Sequence, residues 1–273
     1  MKLATIRDGG STKAVRIDGD QAIELGLPDV GAVLARDDWQ TWAASADGAR
    51  RAVDGLDYAP LILRPDKVLC VGLNYRSHIL ETGNEVPKYP TLFSKFTSAL
   101  IGANDDVTMP PESRKVDWEA ELTVVIGRRG RRIPEERAAD FIAGYTIMND
   151  VSMRDFQMRT AQWLQGKSWE GSTPLGPWLV TSDESPGPSR EISCEVNGEQ
   201  KQKADTADLV FDAAALVAYA SIIHTLEPGD VIATGTPGGV GMPSGTFLDD
   251  GAVMVTRIAG LGECRNVCRR VAG

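Results

Sequence analysis

The sequence predicts an α+β fold in which short strands outnumber short helices. Three observations lead there. Runs rich in Val, Ile, Leu and Thr recur, as at 67–72, 117–127, 141–150 and 231–234. Turn signals separate such runs, the clearest being Asn197-Gly198, which favours a type I′ hairpin. Helical spacing is confined to a few stretches, among them 29–54 and 212–224. With 42 % hydrophobic and 25 % charged residues over 273 positions, the chain can bury the core of an ordinary globular protein.

Charge and cysteine usage narrow the class. A balance of 29 basic against 38 acidic residues, net −9, argues against nonspecific binding to nucleic acid or an anionic membrane. No apolar run approaches the ~20 residues needed to span a bilayer, and the first residues lack the apolar core of a signal peptide. Cys70, Cys194, Cys264 and Cys268 are too sparse for a disulfide framework and fit reduced thiols, so a cytoplasmic protein is expected. Only two histidines occur, His78 and His224, so a zinc site built on several histidines is excluded.

In chain order, residues 1–62 read as a small module. Strands are expected at 2–6 and 13–17 around the turn Asp8-Gly9-Gly10-Ser11, a third at 22–25, and helix across 29–54. The larger unit, 63–273, opens with a buried-type strand at 67–72. A short helix should follow, capped at Asn74 or Ser77 and ended at Gly83. Strands are expected at 90–96 and 117–127, a helix at 134–140, a strand at 141–150 and a helix at 151–164. A polar, glycine-rich loop spans 165–178, a hairpin 191–203, a helix 212–224, a strand 231–234 and further strands 252–269. The run Arg128-Arg129-Gly130-Arg131-Arg132 sits at a hairpin turn without interleaved aromatics, which suits a solvated turn better than a nucleic-acid site.

Several positions carry chemistry. On a strand at 117–127, Glu119 and Glu121 point one way, and Trp118, Ala120, Leu122, Val124 and Ile126 the other. Val125 shares the glutamates' face, so that face is not plainly solvent. Two carboxylates about 6–7 Å apart repel each other, and a hard divalent cation would remove the conflict; a solvated edge strand with two surface glutamates is the alternative. Asp150, between strand and helix, is either an N-cap or a third oxygen ligand. His78 and Glu81 lie at i and i+3, as a surface pair or as a general base with its orienting acid. Lys167 is a surface lysine or a cation facing an anionic intermediate. The loop Gly235-Thr236-Pro237-Gly238-Gly239 offers backbone N–H groups to an anion, without the lysine of a phosphate-binding loop.

These pieces stand in an order that resembles the fumarylacetoacetate hydrolase superfamily. They are 72–81 (Gly-Leu-Asn-Tyr-Arg-Ser-His-Ile-Leu-Glu), Phe93-Ser94-Lys95, Trp118-Glu119-Ala120-Glu121-Leu122, 149–157, Gly166-Lys167-Ser168, 174–178, 196–199 and 229–237. The resemblance runs from about Lys67 to the C-terminus. It implies a mixed β-roll or sandwich core with a small N-terminal α/β module, assembled as a homodimer. It implies Mg²⁺ or Mn²⁺ held by Glu119, Glu121 and Asp150, with Ca²⁺ able to stand in. His78 and Glu81 would form the base dyad on a lid over the substrate, and Lys167 would face the developing negative charge. Tyr75, Arg154 and Gln157 would contact the substrate, and Gly235 and Thr236 would hold its carboxylate. The implied activity is hydrolysis of a C–C bond in a 2,4-dioxo acid, a small anionic 2-oxo acid. Oxaloacetate decarboxylation and isomerisation or decarboxylation of a hydroxymuconate-type diacid are the alternatives. A catalytically silent scaffold is disfavoured because the acid trio, His78 and Glu81 are all present. One departure stands out: Trp169-Glu170 replaces the Phe-Asp of many relatives, which puts the pocket wall and substrate identity in question.

Overall fold

The computed structural model describes residues 1–272 except Thr82, Asn84, Ser185, Pro186 and Pro188, and gives only the backbone of Glu81. Two sheets face each other. The larger has eleven strands. From one edge it runs Arg50–Ala52, Gln21–Glu24, Ser11–Asp18, Lys2–Asp8, Thr173–Thr181, Ile142–Asn149, Ala120–Ile126, Val231–Ala233, Val68–Gly72 and Thr91–Lys95, with Leu100–Ile101 pairing on Thr173–Thr181. The smaller has five: Glu199–Asp205, Glu191–Val196, Val253–Ile258, Gly262–Arg270 and Val107–Met109. The N-terminal strands are not set apart, because Lys2–Asp8 pairs antiparallel with Thr173–Thr181, joining Leu3 to Leu179.

Alternation along Ala120–Ile126 decides what each face of the large sheet covers. Ala120 and Leu122 join Ile147, Ile192, Met254 and Cys264 in the core between the sheets. Val124 and Ile126 pack under the helix Ala213–Ile223. On the opposite face Val125 packs with Val30, Val33 and Leu34 of the N-terminal helix Val30–Leu34. Each such side chain contributes roughly 1.5–3 kcal/mol when fully buried. Glu121 shares the face of Val125, so the strand runs from an apolar patch covered by the N-terminal helices to a polar patch that they leave free.

Several expected elements differ. The strand at 117–127 is two strands, Val116–Asp117 and Ala120–Ile126, because the first pairs with Ser152–Met153 and the second with Ile142–Asn149. Asn149 holds the break: its Oδ1 accepts from the Glu119 N–H at 2.9 Å, and its Nδ2 donates to Thr256 Oγ1 at 2.9 Å. The helix expected over 29–54 is two helices, Val30–Leu34 and Trp39–Ser45, followed by a strand. The helix expected over 151–164 is only Arg154–Gln157, and the loop expected over 165–178 holds the helix Leu164–Lys167 and most of a central strand, Thr173–Thr181. Pro174, Gly176 and Pro177 hide that strand from any reading by propensity.

The hairpin at Asn197-Gly198 forms with both residues at positive φ, 53° and 79°. Asp212 caps its helix through Ala215 N–H at 2.9 Å, and His224 stands exposed at the C-terminal cap. Neither Asn74 nor Ser77 caps the helix Arg76–Glu81. Asn74 instead donates to Phe211 O and Thr234 O, and Ser77 donates to Asp208. The arginines of 128–132 are all exposed, as a solvated turn requires; Arg131 also donates to the end carbonyls of Ala213–Ile223, at Ser221 and Ile222, where a cation meets the negative end of the helix. The four cysteines are free and buried, and no described helix is long and apolar enough to cross a membrane.

Asn149 is fully buried and serves both sheets. Replacing it with Ala leaves the Glu119 N–H and the Thr256 hydroxyl without this partner, so urea denaturation of Asn149→Ala should show a loss of about 1–3 kcal/mol.

Candidate active site

The polar patch of the large sheet is a cluster of buried ions. Glu119, Glu121 and Asp150 each present a carboxylate oxygen within 4.8 Å of the others, all three residues buried. Their positions follow from the strands. Glu121 projects from Ala120–Ile126, Glu119 from the break before it, and Asp150 from the residue after Ile142–Asn149, where its N–H bonds Glu119 O at 2.8 Å. Asp117 and three cations complete the cluster. Lys167 Nζ lies 2.6 Å from Glu119 and 2.8 Å from Asp150. Lys95 Nζ lies 2.5 Å from the other Asp150 oxygen. Arg154 reaches Asp117 through Nε and Glu119 through Nη2, each at 2.7 Å, and donates to Gln157 Oε1 at 2.8 Å.

Four carboxylates thus face three cations, and the imbalance falls on Glu121. Its Oε2 accepts the Gly235 N–H at 2.8 Å, and it has no ion-pair partner within reach among the described residues. Burial, then the charges of Asp150 and Glu119, push its pKa well above the usual carboxylate range, against the weaker pull of Lys167 and the Gly235 amide. Asp150 behaves oppositely. Burial works against its ionisation, but Lys167 and Lys95 outweigh burial and hold its pKa down to about 2. Burial likewise works against the Lys167 ammonium, yet Asp150 and Glu119 raise its pKa.

The donor set fits a hard divalent cation. It is all oxygen, buried and short of positive charge at one member, which is what magnesium or manganese sites require. Lys167 and Arg154 already lean on Glu119, so a cation held by Glu119, Glu121 and Asp150 would share these carboxylates with them.

A cavity of about 310 Å³ opens on the cluster. Glu119, Glu121, Arg154, Gln157, Lys167, Thr236 and His78 line its inner part, so the structure brings these expected residues together. His78 reaches it from the helix Arg76–Glu81; the Glu81 side chain, its expected partner, lies outside the described residues. Phe93 supports the site, with Lys167 Nζ 5.1 Å from its ring centre and Trp163 packed edge-on against it at 5.4 Å. Gly166 lets the helix bearing Lys167 lie on the one bearing Arg154, since a Cβ there would meet the Gln157 backbone nitrogen at 2.5 Å.

Three expectations need correction. Tyr75, expected at the substrate, is fully buried in the core between the sheets, where burial raises its pKa, and it does not line the cavity. The Gly235 N–H, expected to hold a substrate carboxylate, is engaged by Glu121. Thr236 does line the cavity, and its Oγ1 accepts from Gln202 at 2.8 Å. The Trp169-Glu170 pair leaves the cavity wall untouched: Trp169 packs edge-on against Phe156 at 4.8 Å, and Glu170 is exposed. Lys95 and Asp117 were not singled out as site residues. A lysine in an apolar strand was the available signal for the first, and the first acid of Asp-Trp-Glu-Ala-Glu for the second.

The family model described as "Fumarylacetoacetate (FAA) hydrolase C-terminal" matches residues 67–269. The chain belongs to the fumarylacetoacetate hydrolase family. Among family members, the oxaloacetate tautomerase Fahd2a, mitochondrial, of Rattus norvegicus is 47 % identical over 209 residues, covering 75 % of this chain and 67 % of the relative. The crystal structure of 5-carboxymethyl-2-hydroxymuconate delta-isomerase from Mycobacterium smegmatis is 35 % identical and superposes with a TM-score of 0.84, each chain covered in full. Maleylpyruvate hydrolase from Sphingobium sp. SYK-6, solved with manganese(II) and pyruvate, is 28 % identical with a TM-score of 0.83, again over both full chains. Fumarylacetoacetate hydrolase family members are thus enzymes of several reaction types, and this chain is a family enzyme with an acid triad that could hold a metal.

The uncompensated acid yields a test. In metal-free protein, Glu121→Gln removes a buried acid that lacks an ion-pair partner among the described residues while keeping an acceptor for Gly235, so its Tm should equal or exceed that of the parent. Added Mn²⁺ should raise the parent's Tm and leave that of Glu121→Gln nearly unchanged.

Proposed function

We propose that the chain is a divalent-metal-dependent hydrolase that cleaves a C–C bond in a 2,4-dioxo acid of the acylpyruvate type. The observation that carries this reading is Glu121, buried beside Glu119 and Asp150 and without a cation partner among the described residues. A Mg²⁺ or Mn²⁺ ion held by those three carboxylates would supply Lewis-acid stabilisation of negative charge on the oxygen of a 2-oxo acid enolate. The manganese and pyruvate named for the Sphingobium hydrolase support the same assignment.

The protein's own groups suit the remaining steps. Lys167, buried and held as an ammonium, adds positive charge beside the cluster. Arg154 braces Glu119 and turns Gln157 through its carbonyl, which leaves the Gln157 amide as a donor in the cavity wall. His78, on the cavity wall, takes a proton from water, and the resulting hydroxide adds to the distal carbonyl. The C3–C4 bond then breaks. Its electron pair passes to the pyruvate enolate, whose C3 takes the proton back from His78 to give pyruvate, and the acyl fragment leaves as a carboxylic acid.

A second reading is proton transfer alone. The 47 % identical relative is named an oxaloacetate tautomerase, and the same floor would stabilise the enolate through which a 2-oxo acid exchanges its keto and enol forms. Comparing acetylpyruvate cleavage with enol-to-keto conversion of oxaloacetate by NMR separates the two, the faster reaction naming the activity. In either reading His78→Ala should lower the rate by about 10²–10⁴-fold with metal affinity unchanged. A rate equal to the parent's would remove His78 from the mechanism.

A further inference from the structure

The cavity changes character towards its mouth. Leu73, Met158, Trp163, Val240, Met242 and Pro243 line the outer part. Single exposed apolar side chains are ordinary on a protein surface, but here Leu73 (42 % exposed), Met158 (65 %) and Met242 (43 %) all border one opening. Leu73 does so from a left-handed backbone conformation, φ 56°, which is unfavourable for a bulky residue and persists only where the surroundings impose it. Trp163 lies so close over Gly72 that a Cβ there would stand 2.4 Å from the ring, so the indole wall depends on that glycine. Its position is fixed from another side by Phe93.

The cations that line the cavity are committed to its floor. Arg154 is bound to Asp117 and Glu119, and Lys167 to Glu119 and Asp150. Among the described residues lining the cavity, His78 is the remaining basic group, and it carries the proton-transfer role. A second carboxylate on a substrate bound through its 2-oxo acid head would therefore meet methionine, leucine and indole instead of a free cation. Burying such a charge unpaired is costly, whereas an alkyl tail there gains apolar contact.

We infer that this cavity selects 2-oxo acids with a single carboxylate and an uncharged, apolar tail, and that Trp163 limits the bulk of that tail. The inference rests on the reading of the floor as a site for a 2-oxo acid head, and the two can fail separately.

The test is calorimetric and needs no turnover. Protein loaded with Mg²⁺ is titrated with oxalate, which presents only a head group, and with 2-oxohexanoate and 2-oxoadipate, which have the same chain length and differ in the terminal carboxylate. Oxalate should bind only with metal present. 2-Oxohexanoate should bind at least about tenfold more tightly than 2-oxoadipate, as expected for an unpaired carboxylate at a partly open site. Met158→Arg, at an exposed position that tolerates a polar side chain, should reverse that order; Met242→Lys provides a second such variant. Trp163→Ala should tighten binding of a longer 2-oxo acid such as 2-oxodecanoate and leave oxalate unchanged. Metal-dependent oxalate binding with 2-oxoadipate equal to or tighter than 2-oxohexanoate would overturn the tail assignment alone. Absence of metal-dependent oxalate binding would overturn the head-group reading and the tail assignment with it.

Discussion

The site depends on one electrostatic imbalance: among the described residues, four buried carboxylates share three buried cations. Asp117, Glu119 and Asp150 are each paired at 2.8 Å or less, and Glu121 is left with one backbone N–H. Had a fourth cation been present, the cluster would be a closed ion network whose function would be structural. The missing charge leaves an acid triad that could hold a metal. A buried, unpaired acid either takes up a proton or takes up a cation, and the three carboxylates lie close enough to offer one oxygen each to the same ion.

The architecture keeps this cluster buried and in place. Glu121 and Val125 share one face of one strand, two pleats apart, yet one lies in an ion cluster and the other under the N-terminal helix. The module that covers Val125 stops short of Glu121, and the short helices Arg154–Gln157 and Leu164–Lys167 cover the rest. Gly166 fixes how closely those two helices approach, hence how far Lys167 reaches. Asn149 ties the strand break that carries Glu119 to Thr256 in the opposite sheet, so the ligand geometry is braced by the core between the sheets.

What the sequence disclosed divides along physical lines. Alternation along 120–126 places Glu121 and Val125 on one face, because strand geometry is local; Glu119 stands at the break before that strand, held there by Asn149 and Asp150. The Asn197-Gly198 turn was equally readable, since it needs only two residues that accept positive φ. Thr173–Thr181 was read largely as loop because Pro and Gly occupy a strand whose pairing partners lie far away in sequence, at Lys2–Asp8 and Ile142–Asn149. Tyr75 and Gly235 show the same limit within the site. Their motif positions were right beside the functional residues, but whether a hydroxyl faces a cavity or a core, and which acceptor takes an amide N–H, are decided by contacts between segments distant in sequence. Lys95 and Asp117 were passed over for a related reason, since only burial distinguishes them from surface charges.

The floor and mouth of the cavity answer different chemical questions. A floor that tolerates a buried enolate charge serves any reaction passing through that species, and relatives with this fold are named as a hydrolase, an isomerase and a tautomerase. Conserving the floor's charge balance therefore cannot by itself choose a reaction. The choice falls to groups that act only on what extends beyond the 2-oxo acid head: a base that activates water or removes a carbon-bound proton, and a wall that accepts or rejects charge on the tail. In this chain the wall is Leu73, Met158, Trp163 and Met242; Met158 and Met242 meet the ion cluster through backbone N–H groups, to Arg154 O at 3.1 Å and Asp117 Oδ2 at 3.0 Å, which side-chain substitutions keep. Substrate choice can thus change at the mouth by single substitutions without disturbing the buried charges, which would be far more costly to rebalance.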